Sequence, residues 1–346
     1  MQFALDESPP AAAPDDARDG AASEASAASD TDEAGPDAAD SEDILADSED
    51  ILADLDASDT AIELTHSRLT SLAGLGLERF AALEYLGCRQ NLIHDMGPVA
   101  GLTLLTELDL YDNRIKHIRA TERLARLESL DLSFNKIRTI ENLGALRALR
   151  ELYLVSNKIG EIGNLQALTG LTYLELGANR IREIAGLDEL AALEQLFLGK
   201  NKIARLQNLG RLRRLRVLSI QSNRIARIEG LEELAALEEL YLSHNGIRAI
   251  EGLEHNPRLT ILDVTSNQIE ELGGIRHLAA LEDLWASGNR LASFANVEAE
   301  CAPLAALRTV YLEFNPLQRA QPATYRRKLM LALPQITQID ATLCRP

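Results

Sequence analysis

The sequence predicts an α/β solenoid in which about 12 repeats of 22 residues place a parallel β-sheet on the concave side and 3₁₀ or short helical turns on the convex side. Three observations predict it: Asn recurs every 22 residues, Leu alternates within each repeat, and only 4% of the residues are aromatic although Leu is abundant. A mixed globular core would normally need more rings, whereas a short repeated unit buries the same few aliphatic side chains again and again.

The repeat period is carried by ten Asn residues, each in or close to the pattern LxxLxLxxNxI. They are Asn91, Asn113, Asn135, Asn157, Asn179, Asn201, Asn223, Asn245, Asn267 and Asn289. An eleventh, Asn315, follows after 26 residues, and Ser67 takes the Asn place in an atypical first unit. Both ends of the array therefore depart from the repeat, as capping units do.

Each part of a repeat predicts a local structure. Leu152 and Leu154 flank an outward position, and this period of two predicts a short parallel strand with one buried face. After Asn135, apolar residues such as Ile137 and Ile140 come about every three positions, the spacing of 3₁₀-like turns. An Asn amide offers both a donor and an acceptor, so we expect these Asn residues to satisfy buried backbone groups in their own and the adjacent repeat.

Charge divides the chain. Residues 1–60 carry 19 of the 53 acidic residues but only Arg18 among the 35 Lys and Arg, so the remainder is neutral. The acidic composition of residues 1–60 buries too little apolar area to offset the entropy of ordering. The heptapeptide SEDILAD occurs at 41–47 and again at 48–54, either as a low-complexity duplication or as a short acidic helix that packs on the first repeat. The predicted parts are a disordered acidic tail (1–57), the solenoid (58–318) and a C-terminal cap (319–346).

The three cysteines, Cys88, Cys301 and Cys344, stand far apart. Without a CxxC pair or a His at ligand spacing, they indicate neither a disulfide framework nor a zinc site. No apolar run approaches the roughly 20 residues of a membrane span, and the N-terminus lacks a basic and then apolar signal sequence. We therefore expect an intracellular protein in a reducing compartment, with no cofactor, no metal ion and no membrane partner.

The residue between the two inward Leu of each strand should project from the concave face. We call these twelve residues the central column: Glu63, Gly87, Asp109, Asp131, Tyr153, Glu175, Phe197, Ser219, Tyr241, Asp263, Trp285 and Tyr311. Five are acidic, five are aromatic and none is basic. Rings beside carboxylates suit a protein partner that presents Lys or Arg, through salt bridges and cation–π contacts. Alternatively, the rings stack across adjacent strands and only stiffen the sheet.

The same column argues against nucleic acid as a partner. RNA binding would require basic side chains where Asp109, Asp131 and Glu175 stand. Basic residues do occur directly after the repeat Asn, beyond the strand, and there we expect a solvated surface. These residues are Arg114, Lys136, Lys158, Arg180, Lys202 and Arg224.

Catalysis is not indicated. The sequence has no GxSxG motif and no P-loop, and its six His residues are scattered over different turns. They are His66, His94, His117, His244, His255 and His277. An acid pair such as Asp109 and Asp131 could imitate a metal site, but a solenoid sheet offers no substrate pocket. We therefore expect neither enzymatic activity nor a small-molecule substrate.

Several strings resemble one family of leucine-rich-repeat proteins, the family of protein phosphatase 1 regulatory subunit 7. They are CRQNLI (88–93), ELDLYDNRIK (107–116), LELGANRI (174–181), LFLGKNKI (196–203), ELYLSHNGI (239–247) and TVYLEFNPLQ (309–318). The segment YRRKLMLALPQITQIDAT (325–342) is similar to the C-terminal cap of that family, and it suits a helical turn that covers the last repeat before a final strand. The resemblance covers about residues 55–346.

The resemblance implies a regulator that holds the catalytic subunit of type-1 Ser/Thr protein phosphatase against its concave face. The positions that match the family's contacts are Asp131, Glu175, Phe197, Trp285 and Tyr311. Tyr153 stands where the family has Phe, and Asp283, in the neighbouring column, stands where it has Glu. With the nearby column residues Tyr241 and Asp263, the predicted protein-binding set is Asp131, Tyr153, Glu175, Phe197, Tyr241, Asp263, Asp283, Trp285 and Tyr311.

Two other functions fit the same fold. Intracellular 22-residue repeats also resemble those of dynein-associated and tubulin-cofactor proteins, which implies a scaffold for cytoskeletal or axonemal assembly. The other function is that of a ribonucleoprotein subunit that binds an RNA-binding protein. The family resemblance implies a location in the nucleus and the cytoplasm.

Overall fold

A computed structural model describes residues 51–344, and in this region each repeat contributes one short strand to a single sheet. The strands are β1 (Ala61–Glu63), β2 (Tyr85–Gly87), β3 (Glu107–Asp109), β4 (Ser129–Asp131), β5 (Glu151–Tyr153), β6 (Tyr173–Glu175), β7 (Gln195–Phe197), β8 (Val217–Ser219), β9 (Glu239–Tyr241), β10 (Ile261–Asp263), β11 (Asp283–Trp285), β12 (Thr309–Tyr311), β13 (Gln338–Ile339) and β14 (Thr342–Leu343). Their order in the sheet follows the chain. All neighbours pair in parallel except β13 and β14, which are antiparallel.

The convex side is made of turns and short helices, as the three-residue spacing predicts. Two 3₁₀ helices, Leu77–Arg79 and Gly97–Gly101, lie in the first repeats. Three α-helices lie near the C-terminal end: α1 (Phe294–Cys301), α2 (Pro316–Ala320) and α3 (Tyr325–Ala332). None of the helices in residues 51–344 is long and apolar enough to cross a membrane.

The core is a stack of aliphatic layers. In β5, Leu152 pairs in register with Leu130 of β4 and Leu174 of β6, and all three are fully buried. Because the register is the same from one repeat to the next, each side-chain position forms a straight row across the sheet. The predicted solenoid is therefore confirmed, with Leu and Ile rows inside and the central column outside.

The repeat Asn side chains bond to two repeats at once, as predicted. Asn157 Nδ2 donates to the carbonyl oxygen of Leu132 in the preceding repeat at 2.9 Å and to that of Leu154 in its own repeat at 3.2 Å. Its Oδ1 accepts from the backbone N–H of Ile137 at 2.9 Å. The same pattern recurs at the other repeat Asn residues from Asn91 to Asn315, so these amides hold the turns together.

The two ends of the array are closed differently. At the N-terminal end, Leu52 is buried against the first repeat and its carbonyl accepts from the guanidinium of Arg79, so the packed region begins before residue 58. Residues 51–54 form a turn there rather than the helix considered above. Residues 1–50, which hold most of the predicted acidic tail and the first SEDILAD copy, lie outside the described residues.

The C-terminal cap is centred on a buried carboxylate. Tyr325 of α3 donates its phenol to Asp340 at 3.0 Å, and Asp340 accepts from the backbone N–H of Leu312 at 2.9 Å. Arg326 donates to the carbonyl oxygen of Ile339 at 2.8 Å. These bonds tie α3 to β12 and β13, and they give the predicted helical cap and final strand a physical basis.

Candidate functional site

The exposed face of the sheet is built from three positions of each repeat. The first and last strand residues point to this face, and so does the second residue after the strand, because side chains alternate along an extended chain. We call the row of first strand residues the leading column. Ladder pairing brings Asp131 beside Tyr153, Tyr153 beside Glu175, and Glu175 beside Phe197. The predicted acid and ring positions are therefore neighbours on one surface.

One cluster of rings covers strands β5 to β7. The ring centroids of Tyr153 and Tyr173 lie 4.8 Å apart, and those of Tyr173 and Phe197 lie 5.1 Å apart. Tyr173 belongs to the leading column of β6 and inserts between two rings of the central column. All three side chains remain partly exposed. We call these three residues the first ring cluster.

A second ring cluster covers strands β9 to β12. The centroid of Trp285 lies 6.1 Å from that of Tyr241 and 5.9 Å from that of Tyr311. Asp283 precedes this Trp in the leading column and is half-buried. Asp263 lies on the strand between the rings and is only 6% exposed. Its carboxylate accepts from the backbone N–H of Thr265 at 2.9 Å, so it also stabilises the end of its own strand.

The two ring clusters are separate. Strand β8 lies between them and carries Val217 and Ser219 at its two outward positions. Neither residue supplies a ring or a charge. The nine predicted residues therefore share one face but form two patches, and a partner that used both would have to bridge β8.

Several phenols of the face bond to carboxylates, whereas the hydroxyl of Tyr311 accepts from the side-chain amide of Gln338. Tyr153 donates to Glu151 at 3.0 Å, and Tyr241 donates to Glu239 at 2.8 Å. Tyr173 donates to Glu175 at 3.0 Å. Cross-strand stacking is thus present, as the alternative interpretation of the column expects, and some of the interleaved acids have a role within the sheet. Each carboxylate keeps further acceptor sites, because it can accept about four hydrogen bonds and takes one from the phenol.

Negative charge on this face is left almost uncompensated. Across the described strands, the three outward positions hold ten Asp or Glu and a single basic residue, Arg89. That Arg contacts the carboxylate of Asp109 at 2.9 Å and lies 4.4 Å from the ring centroid of Tyr111. A surface with this excess of negative charge attracts partners that carry positive charge.

Two of the predicted acids are partly desolvated. Burial raises the pKa of Asp131 above its ordinary value, and the nearby carboxylate of Asp109 adds to the effect, although the bond from the N–H of Ser133 opposes it. Burial also raises the pKa of Glu175. No cation contributes at Glu175, and at Asp131 the stabilising effect of Arg89 is smaller than the cost of burial.

This environment makes a prediction for Asp131→Asn. A carboxyl whose pKa is raised by folding contributes stability only below its unfolded pKa, and that contribution is lost as pH rises through the folded pKa. We therefore expect Asp131→Asn, which keeps the acceptor for Ser133, to raise the free energy of unfolding at pH 7 by about 0.5 kcal/mol. The gain should shrink as the pH falls into the range where the carboxyl is protonated.

Urea unfolding at several pH values measures this gain. Glu161→Gln removes an exposed acid outside the face and should leave stability unchanged. A loss of stability in Asp131→Asn at pH 7 would contradict the assignment of this carboxylate as desolvated and without an ion pair.

Two polar atoms of β11 and the loop after it are buried without a hydrogen-bond partner. They are the indole Nε1 of Trp285 and the hydroxyl of Ser287. Both residues belong to the exposed face, one in the central column and the other two residues later. An unsatisfied buried donor costs about 1–3 kcal/mol, so this end of the face carries unused hydrogen-bonding capacity beside the second ring cluster.

Within residues 51–344 there is no group of three or more His, Cys, Asp or Glu that could hold a metal ion. Cys88 and Cys301 are buried, and burial raises the pKa of both thiols to about 12. The arrangement of rings and carboxylates instead offers contacts for binding.

Sequence reasoning missed residues beside the central column. Tyr173 is the middle ring of the first cluster, and Glu151 and Glu239 are the phenol acceptors. Tyr111 stacks on Phe134 with centroids 4.9 Å apart, and Phe134 is 44% exposed. Alternation along the strand could have identified the leading column, since its residues lie two positions before the central column.

Comparison with known proteins agrees with the fold. The sequence matches the family profile described as leucine rich repeat at residues 103–159, and a profile of two such repeats at 147–189 and 235–277. An internalin (inlF) from Listeria monocytogenes aligns over 82% of this chain and 87% of its own, with 26% identity and a TM-score of 0.64. A leucine-rich-repeat protein of Leptospira interrogans, LIC12759, aligns over 76% of this chain and 74% of its own, with 25% identity and a TM-score of 0.65.

Curated relatives are more similar over shorter stretches. Protein phosphatase 1 regulatory subunit SDS22 of Schizosaccharomyces pombe is 55% identical over 53 residues, which cover 15% of this chain and 16% of that protein. Protein phosphatase 1 regulatory subunit 7 of Homo sapiens is 62% identical over 40 residues, 12% of this chain and 11% of that protein. The matches span less than a fifth of these relatives. They also cover much less of this chain than residues 55–346, over which the resemblance was expected. The chain is a leucine-rich-repeat protein, and over these stretches it is similar to the regulatory subunits SDS22 and 7 of protein phosphatase 1.

Proposed function

We propose that this chain is a regulatory subunit that binds the catalytic subunit of protein phosphatase 1 through the exposed face of its sheet and modulates its activity or its location. The names of the relatives support the phosphatase as partner. The observation that carries the choice of face is the excess of carboxylates, nearly without basic neighbours, around two clusters of partly exposed rings.

Rings and acids contribute differently to such an interface. The rings of Phe197, Trp285 and Tyr311 offer apolar area that is already ordered by stacking, so little conformational entropy is lost when a partner covers them. Asp131 and Glu175 are already partly desolvated, so a Lys or Arg of the partner would stabilise charges that are costly in the free chain.

Under this proposal the chain carries out no reaction itself. The catalytic subunit removes phosphate from phosphoserine and phosphothreonine, and the solenoid restrains or redirects it. A regulator of this kind would act where its partner is, and we propose the nucleus and the cytoplasm as its location.

Titration calorimetry with the purified phosphatase catalytic subunit tests the proposal. The full chain should bind it with one-to-one stoichiometry, and the double variant Glu175→Ala with Trp285→Ala should show no measurable binding. A matched control is Glu161→Ala with Leu331→Ala, which removes an exposed acid and an exposed apolar side chain outside the face. Wild-type affinity in the double variant would exclude the proposed face.

Binding to a different partner, together with failure to bind the phosphatase catalytic subunit, would exclude the proposed function itself. Co-sedimentation with microtubules without retention of the catalytic subunit would favour a cytoskeletal scaffold. The exposed face of the sheet, which we call the acidic face, does not predict RNA binding. A salt-sensitive shift of RNA would favour a ribonucleoprotein subunit.

A further inference from the structure

A second charged surface lies where the chain turns after each repeat Asn. In six consecutive repeats the residue that follows the Asn is basic, and five of the six side chains are exposed. We call this row the basic edge: Arg114, Lys136, Lys158, Arg180, Lys202 and Arg224. The parallel register sets the spacing of its members, because adjacent strands lie about 4.8 Å apart. The row lies beyond the strand ends and is distinct from the acidic face.

The backbone of the basic edge is fixed by a ladder of hydrogen bonds. Lys136 N–H donates to the carbonyl oxygen of Ile115 at 2.8 Å, and Lys158 N–H donates to that of Ile137 at 2.8 Å. Each basic side chain therefore starts from a position set by the preceding repeat. The charges are brought together by the fold and are not an incidental cluster on a loose loop.

A pocket of about 230 Å³ opens within this edge. Its lining residues come from three successive repeats and carry four cationic groups, an imidazole and a hydroxyl: Lys116, His117, Lys136, Arg138, Thr139 and Lys158. No described Asp or Glu is among these lining residues, and Glu141 contacts the imidazole of His117 at 3.0 Å. The four cationic side chains form no ion pair within 4.0 Å of a described Asp or Glu.

Two exposed Arg residues in the turns that lead into the strands do form ion pairs. Arg213 pairs with Glu233 at 2.9 Å, and Arg214 pairs with Glu194 at 2.8 Å. Acids one repeat away thus pair with these two Arg residues, whereas the four cationic side chains of the pocket have no such pair. Like charges held close together repel one another, and an anion between them would remove that cost.

We propose that this pocket binds the phosphate group of a phosphorylated serine or threonine in an acidic segment of a partner protein, with the rest of the basic edge contacting the flanking acids. Lys and Arg bind phosphate oxygens by charge-assisted hydrogen bonds, and the hydroxyl of Thr139 adds a neutral donor. No aromatic residue lines the pocket on which a base could stack, so a peptide fits better than a nucleic acid.

Fluorescence anisotropy with two labelled peptides tests this site. Both are seven-residue aspartate-rich peptides, one with a central phosphoserine and one with a serine. We expect the full chain to bind the phosphopeptide at least tenfold more tightly, with an affinity that falls as salt is raised. Lys136→Gln with Lys158→Gln should remove that preference. Arg147→Gln, which removes an exposed basic side chain from a turn leading into a strand, should keep it.

Two results would overturn the proposal. One is equal or undetectable binding of the two peptides. The other is tighter binding of a single-stranded RNA of equal charge, which would assign the edge to nucleic acid. Because neither Lys lies on the acidic face, calorimetry with the phosphatase catalytic subunit on the same double variant separates this site from the proposed function.

Discussion

Trp285→Ala is expected to weaken binding of the phosphatase catalytic subunit by about 2–4 kcal/mol, or about thirtyfold to a thousandfold. The indole is the middle ring of the second ring cluster, and its centroid lies within about 6 Å of the Tyr241 and Tyr311 rings. Removing it takes away the largest exposed anchor and leaves its two neighbours without a stacking partner. Large effects of this kind are typical of central aromatic residues in protein interfaces.

Thermal unfolding must be measured beside the affinity, because the same substitution removes cross-strand stacking. Each lost ring pair is worth about 0.5–1.5 kcal/mol of folding stability. Trp285→Phe keeps a ring in the stack but removes the unsatisfied indole N–H, so it should retain much of the stability and part of the binding. If Trp285→Ala lost only stability and kept its affinity, the rings would serve to stiffen the sheet and nothing more.

Asn201→Ala is expected to lower the free energy of unfolding by about 2–4 kcal/mol. The Asn201 amide donates to the carbonyl oxygens of Leu176 at 3.0 Å and Leu198 at 3.1 Å, and its oxygen accepts from the N–H of Ile181 at 3.0 Å. Alanine would leave the Ile181 N–H without a partner, at about 1–3 kcal/mol. Each of the two carbonyls would lose one of its two donors and keep the other, from Asn179 or Asn223.

Hydrogen exchange provides a local measurement of this effect. The amide of Ile181 loses its acceptor in Asn201→Ala and should exchange much faster, together with amides of the two adjoining repeats. Gln166→Ala removes an exposed amide from a convex turn and should change neither exchange nor stability. An unchanged midpoint of urea unfolding in Asn201→Ala would contradict the structural role assigned to the repeat Asn residues.

The repeat period was sufficient to predict most of the fold. Identical spacing of Leu152, Asn157 and their equivalents determines the strand, its register and the hydrogen bonds of the turn, because each of these depends on chain positions 22 residues apart. The ends were harder to place, because their residues interact outside the repeat. Leu52 packs before the predicted start of the solenoid, and Asp340 organises the cap through Tyr325.

The candidate site was predicted in position but not in detail. All nine predicted residues lie on the exposed face, and their roles in binding stay predictions. The period does not show how far a side chain reaches sideways, so it missed Tyr173 between two central rings and the phenol bonds to Glu151 and Glu239. It also gave the residues after each Asn only a solvated role, because the grouping of Lys136 and Lys158 with the cations of neighbouring turns is visible only in three dimensions.

The single Trp of this chain allows the most direct test of the acidic face. A chain labelled with 5-fluorotryptophan has one ¹⁹F resonance, and it comes from Trp285 in the second ring cluster. On addition of unlabelled phosphatase catalytic subunit, this resonance should shift or broaden and reach its limit at one equivalent. A resonance that stays unchanged while calorimetry shows saturation would mean that the partner binds elsewhere, and it would contradict the account.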